Sequence, residues 1–410
     1  VLNGIDEIDW SRLSHAYGPA DDVPAQLRAL ASADPAVRDR ARHDLYGNIF
    51  HQGTRYEATA YAVPFLLELL ADPATAEPSE LLALLVALAI EDDGTWLPDN
   101  LPVAELRRVA VGGAALLAAA PHPGDPEFDE DEGDYVYVGS LSRADQERLY
   151  AHITLAAYDA VRAGVPLFRQ LLTRPDPALR AGAAHALAWF PEDAAGSVPA
   201  LAALIEAAPS GATSGAAQAA AVGTAAVALG LLGVAPDSAL LTDARPVIRW
   251  GAAVGRARVL GPTADPATID ELMTWAGGRG ESAEGVPFLD GDLAGHAGLA
   301  LRQLGADHAG AGFEVLLGRI PTVSGTEALP VVAQALTMAF PDGPLPAGTP
   351  ATDLTDRQRR LVETLAGSPG SWRIGAHTFG NFSQLVASRG LPGDPAKLRA
   401  YLDDGSAPPR

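Results

Sequence analysis

The side chains best equipped for chemistry lie in one short stretch, Tyr46-Gly47-Asn48-Ile49-Phe50-His51-Gln52-Gly53-Thr54-Arg55-Tyr56-Glu57. Asn48, His51, Gln52, Arg55, Tyr56 and Glu57 supply donors, acceptors and an aromatic face. If the stretch were catalytic, His51 and Glu57 would handle protons, because imidazole and carboxylate can be tuned to the working pH. On the structural reading, Arg55 pairs with Glu57, Tyr46 and Phe50 pack, and the polar groups close a network. The run Glu91-Asp92-Asp93 offers further carboxylates for the same site. A second mixed stretch, Ser371 to Phe382, places Trp372, His377 and Phe382 where they either shape a pocket or form the core of a terminal cap. All of these are expected to bind; none is assigned a catalytic role.

The elements that must position them are helices. Val23-Pro24 and Val165-Pro166 are each followed by Asp-Pro-x-x-Arg, at Asp34 to Arg38 and Asp176 to Arg180. Proline at the first helical position gives up an N–H that would be unpaired anyway, and the preceding aspartate caps the helix start. Each copy therefore reads as helix, tight corner, helix. Val63-Pro64, Val198-Pro199, Pro246 and Leu329-Pro330 read as further helix openings. Val37, Ala41, Leu45 and Ile49 form one apolar stripe, and Val23, Leu27, Leu30 and Ala31 another. The fold expected is all-α.

Two-helix units repeating at 40 residues (Val23 to Val63) and 33 residues (Val165 to Val198) have the period of a helical solenoid. On Asp34, Pro35, Val37 and Arg38, and on Asp176, Pro177, Leu179 and Arg180 with Ala183-Ala184-x-Ala186-Leu187, the chain resembles the HEAT-repeat superfamily. That superfamily includes the HEAT-like repeats first named for phycobilisome lyases. The resemblance implies an α-α superhelix, a scaffold role, and arginines at 38 and 180 that bridge to a neighbouring carboxylate. The array is expected over residues 1–340, with an acidic inserted loop at about 121–140. A Pro/Gly-rich linker from Pro341 to Pro350 precedes an atypical helical cap over 351–410, opened by the capping box Thr355-x-x-Gln358.

Charge narrows the function more than any motif does. The net charge is −22, and residues 1–150 hold 27 acidic side chains against 10 arginines. Such a field repels nucleic-acid phosphates and anionic lipid and draws in a basic protein. The densest part runs from Asp125 to Asp134, ahead of Tyr135-Val136-Tyr137-Val138, which reads as a short strand or hairpin. The acidic run is either solvated or docks a cationic surface. As a calcium loop it has Gly133 one place late and no closing glutamate. Ala216 to Ala235 is uncharged and could span a bilayer by length, but no Lys or Arg between Arg180 and Arg245 anchors it. It reads as a buried helix.

Other chemistry is missing from the sequence. There is no cysteine, and the single lysine, Lys397, sits in a plain helix start instead of a phosphate loop. Gly278 to Ala283 follows a helical segment and reads as a linker. The N-terminus carries Asp6, Glu7 and Asp9 where a secretory signal needs basic residues. The expectation is a cytoplasmic, non-catalytic scaffold without cofactor or metal, whose acidic half engages a basic partner, in one form as an immunity- or antitoxin-type inhibitor. An enzyme or small-molecule site in the groove is the alternative. Nucleic-acid binding, as in HEAT-like DNA glycosylases with a basic concave face, does not suit this charge.

Overall fold

Asp34 is extended, and its carboxylate accepts the Ala36 N–H at 2.9 Å while Pro35 starts the helix. Asp176 repeats the arrangement with Ala178 at 2.9 Å. These corners set the pattern of the computed structural model, which describes residues 1–128, 135–208, 215–278 and 284–404. The protein is all-α: among the described residues it has twenty-one α-helices and three two-stranded ribbons. Residues 1–96 and 100–200 form one compact unit, and residues 97–99 and 201–410 a second.

The first unit opens with the ribbon β1 (Ser14–His15) and β2 (Gly18–Pro19), then α1 (Val23–Ala29) and α2 (Pro35–Asn48). A second ribbon, β3 (Phe50–His51) and β4 (Thr54–Arg55), leads into α3 (Glu57–Ala71) and α4 (Pro78–Ile90). Four short helices follow: α5 (Asp93–Trp96), α6 (Val103–Val109), α7 (Gly113–Ala118) and α8 (Tyr135–Ser140). The long α9 (Arg143–Arg162) packs on α3, α4, α6 and α7, and α10 (Val165–Leu171) packs on α11 (Pro177–Leu187), which also meets α4. Between α4 and α9 the chain thus runs through four short helices, of which α6 and α7 pack on α9.

Several expectations change here. Tyr135 to Val138 is helical, part of α8, not a strand. Pro64 lies inside α3 on its exposed side and does not open the helix. Likewise Pro199 is internal to α12 (Ala194–Glu206). The stripes are shorter than their spacing predicts: Leu27, Leu30, Ala41, Leu45 and Ile49 are buried, but Val37 and Ala31 face solvent. Residues 129–134 and 279–283, which carry the rest of the acidic run and most of the glycine-rich stretch, lie outside the described residues.

Arg38 donates to the Ser32 carbonyl at 3.0 Å and to Glu77 at 3.0 Å. In the second unit Arg249 repeats this, with the Asp243 carbonyl at 2.9 Å and Glu271 at 3.2 Å. At Arg38 and Arg249 the arginine of Pro-x-x-Arg therefore ties the corner before its helix to a carboxylate further along the chain.

The second unit contains α13 (Ala216–Leu231), α14 (Pro246–Leu260), α15 (Pro266–Ala276), α16 (Leu293–Ala300), α17 (Ala306–Arg319) and α18 (Ala328–Ala339). Then come α19 (Asp356–Gly367), the ribbon β5 (Arg373–Ile374) and β6 (His377–Thr378), α20 (Gly380–Ala387) and α21 (Pro395–Asp404), with α19 and α20 seated on α18. The capping box forms: Thr355 Oγ1 accepts the Gln358 N–H, and Gln358 Oε1 accepts the Thr355 N–H at 3.0 Å. The uncharged segment from Ala216 is a buried helix, and among the described residues no helix is long and apolar enough to cross a membrane. Its glycines let backbone meet backbone: a Cβ at Gly251 of α14 would overlap the Gly223 carbonyl of α13, and one at Gly230 would overlap Gly255.

Gly251→Ala is therefore expected to cost about 2 kcal/mol or more by overpacking, read as a lowered melting temperature. A second expectation concerns pH. The Arg256 guanidinium beside Asp265, helped by Thr268, holds that carboxyl down from 3.8 to about 2. A carboxyl depressed on folding stabilises above its unfolded pKa and loses that stabilisation as pH falls through its folded one. Asp265→Asn should thus cost about 1 kcal/mol near neutrality, allowing for solvent screening of a third-exposed group. The gap from wild type should close between pH 4 and 2, roughly, in denaturant titrations.

Candidate functional site

The stretch from Asn48 to Glu57 is built around a two-residue turn. Gln52 and Gly53 both have positive φ, 48° and 87°, the conformation that joins two strands of right-handed twist. A Cβ on Gly53 would meet the Glu91 carboxylate, and the positive φ there already favours glycine. The turn pairs Phe50 with Arg55 and delivers Tyr56 and Glu57 to the start of α3. Thr59 fixes that start by accepting the Tyr56 N–H at 2.9 Å and donating to the Ile49 carbonyl at 2.6 Å.

Arg55 is buried and does not pair with Glu57. Its guanidinium donates to the Leu88 carbonyl at 3.1 Å, the Gly53 carbonyl at 2.9 Å and Glu91 at 3.4 Å, and lies 5.6 Å from the Phe50 ring centre. Burial pulls its pKa down, against the attraction of Glu91. The partner choice follows from the turn, which points Arg55 at the end of α4, where the left-handed Glu91 terminates the helix. The run Glu91-Asp92-Asp93 is split accordingly. Asp92 accepts the Thr95 N–H at 3.3 Å, and Asp93 meets His185 at 3.3 Å.

Glu57 lies instead beside His122. The His122 Nδ1 is 3.1 Å from the Arg12 carbonyl and 3.8 Å from the Glu57 carboxylate. A carbonyl only accepts, so this nitrogen carries the proton. Asp125 holds the loop in place: it accepts the His122 N–H at 2.9 Å and pairs with Arg12 at 3.2 Å, and these two contacts keep its carboxyl below the usual range. On the other side, His15 Nδ1 accepts the Tyr17 N–H at 3.1 Å, leaving Nε2–H for Asp22 at 3.0 Å. Asp22 also takes the Asn48 amide at 2.9 Å.

These groups border a cleft of about 490 Å³ within the first unit. Arg55, Glu57, His15 and His122 give its polar surface; Tyr17, Tyr56, Phe128, Tyr137 and Tyr150 give its aromatic one. One wall comes from the two ribbons and the start of α3, the other from α7 to α9. An adjoining hollow of about 300 Å³ shares Tyr56 and Glu57 and adds Tyr61 and His152. Tyr17, Tyr61 and Tyr150, at the rims of these hollows, are 69%, 44% and 42% exposed.

Of the residues expected to bind, Arg55, Tyr56 and Glu57 line the cleft. His51 flanks it through Tyr17, whose hydroxyl is 3.2 Å away, and Asn48 and Glu91 brace it from behind. Gln52 is at the exposed turn, and Asp92 and Asp93 are engaged elsewhere. Trp372 and His377 belong to the second unit and are not brought together. Trp372 is core, its indole donating to the Leu365 carbonyl at 3.0 Å and its ring edge-on to Phe382, while His377 is exposed on its ribbon. The sequence reading missed His15, Tyr17, His122, Tyr137 and Tyr150. A signal was present: seven of the nine tyrosines fall within residues 1–150, the same region as the charge excess.

No family model matches the chain, and no curated protein or solved structure is similar to it at a significant level.

Removing the Glu91 carboxylate should destabilise by about 1–2 kcal/mol, because it strips a buried guanidinium of its counter-charge. Glu91→Ala is thus expected to lower the melting temperature.

Proposed function

We propose that the chain is a HEAT-like repeat protein that binds a basic protein partner through the acidic first unit, without transforming it. The observation that carries this reading is how the charge is spent. Nine of the ten arginines of residues 1–150 already pair with carboxylates of their own unit, among them Arg12 with Asp125, Arg28 with Asp6, Arg38 with Glu77 and Arg55 with Glu91. With 27 carboxylates against ten arginines, internal pairing still leaves a large negative excess. Such a surface accelerates encounter with a cationic partner and rejects anionic ones. An immunity- or antitoxin-type inhibitor is the form this takes if the partner is an enzyme with a cationic active site.

A second reading, a reaction or a small-molecule site in the same cleft, is favoured by its volume and by the approach of His122 to Glu57.

The test of the binding reading is salt. A fluorescent oligoarginine peptide should bind and lose about tenfold or more in affinity between roughly 0.05 and 0.5 M NaCl, while an oligoglutamate peptide should not bind. An affinity that stays flat across that range would remove the electrostatic mechanism.

A further inference from the structure

We infer that the first unit seats an amphipathic helix of its basic partner, apolar side down, in the trough formed by the cleft and the hollow beside it. This deepens the binding reading above and rests on it. The two hollows, of about 490 and 300 Å³, share Leu117 and Ile153 in their linings. Helices form the walls: α3 gives Ala60 and Tyr61, and α9 gives Leu149, Ile153 and Ala156. Those three residues of α9 follow at steps of four and three, so they mark one helix face over roughly 10 Å. Apolar anchors on a ligand helix recur at the same steps, and two turns of it match this length. Leu117 of α7, with Ala120, Pro121 and Phe128 after it, continues the apolar lining.

Arg55 and Glu57, the arginine and the carboxylate of this lining, are already engaged inside the chain. Arg55 donates to the Leu88 and Gly53 carbonyls and to Glu91, and Glu57 lies 3.8 Å from the His122 ring nitrogen. What the trough offers a ligand is therefore apolar contact, while the attraction for cations comes from the unit around it. Residues 1–150 carry 27 carboxylates against ten arginines. They also hold eight of the eleven large hydrophobic side chains that stand exposed among the described residues, Tyr61 among them. An apolar trough set in a negative field is complementary to a helix with one apolar and one basic face. Neither feature alone selects that ligand: charge would accept any basic chain, and the trough any apolar one.

The experiment uses the full chain at low salt and three fluorescent peptides. One is a leucine/lysine peptide of roughly four helical turns with its leucines on one face, one a scrambled peptide of the same composition, and one oligoarginine. The amphipathic peptide should bind about tenfold more tightly than the scrambled one and gain helical circular dichroism as it binds. Tyr61→Glu and Val37→Glu each add a carboxylate at an exposed apolar position, the first in the trough and the second on α2 outside it. On charge alone both would tighten binding of a basic peptide. The expected result is instead a loss of about fivefold or more for Tyr61→Glu, with Val37→Glu unchanged or slightly tighter. Leu117→Ala should weaken the amphipathic peptide about fivefold and leave oligoarginine within about twofold, with melting temperature as the check on folding. Should that variant fail to fold, the exposed Tyr61 and Val37 pair still decides. If oligoarginine binds but the amphipathic and scrambled peptides bind equally, or Tyr61→Glu behaves as Val37→Glu does, the trough is not the seat and only this inference falls. Nile red that stays bound when the amphipathic peptide is added would make the trough a small-molecule site, and overturns the inference in the same way. If none of the three peptides binds at low salt, the binding reading itself falls, and the inference with it.

Discussion

The buried guanidinium of Arg55 is the contact on which the first unit's cleft depends. It joins a ribbon turn, through Gly53, to the end of α4, through Leu88 and Glu91. Neither partner alone would fix the turn, since an isolated two-stranded ribbon is marginal in water. A buried charge without acceptors is more costly still. Once three acceptors surround it, the guanidinium sets the direction of the next two residues, Tyr56 and Glu57. The same packing sends the Glu57 carboxylate away from its sequence neighbour and towards His122.

The opposite wall is assembled from α7, the loop that follows it, α8 and α9. Arg12 and Asp125 hold the loop after α7 against the N-terminal residues, and the Arg12 carbonyl sets the protonated nitrogen of His122. The aromatic rings come from four separate places: the first ribbon turn, the start of α3, α8 and α9. Of these rings, Tyr17 packs edge-on to His51 and Tyr137 donates to the Leu116 carbonyl.

How much of this was legible in the sequence follows from how local each cause is. Asp34, Asp176 and Thr355 act on backbone groups two or three residues away, and their caps formed as the spacing required. Helix openings read from Val-Pro alone failed at Pro64 and Pro199, which lie inside α3 and α12 on exposed helix faces. The stretch from Asn48 to Glu57 could be seen as unusual from its residue types. Its partners could not: Arg55 chose Glu91 across 36 positions, and Glu57 found His122 still further along the chain. Trp372 and His377 show the reverse error. They are close in sequence, but a two-residue turn puts one in the core and the other in solvent.

The glycine seam between α13 and α14 has a consequence for how stiffness is shared within the second unit. Where leucines meet, a change in one side chain can be absorbed by another choosing a new rotamer. Where Gly223, Gly230, Gly251 and Gly255 meet the facing helix, the closest atoms are main chain, and little remains to adjust. The two helices therefore move as one plank. Any flexing inside that unit is passed on to junctions cushioned by larger residues, such as those around α16 and α18, where Leu293, Val331 and Leu336 fill the space.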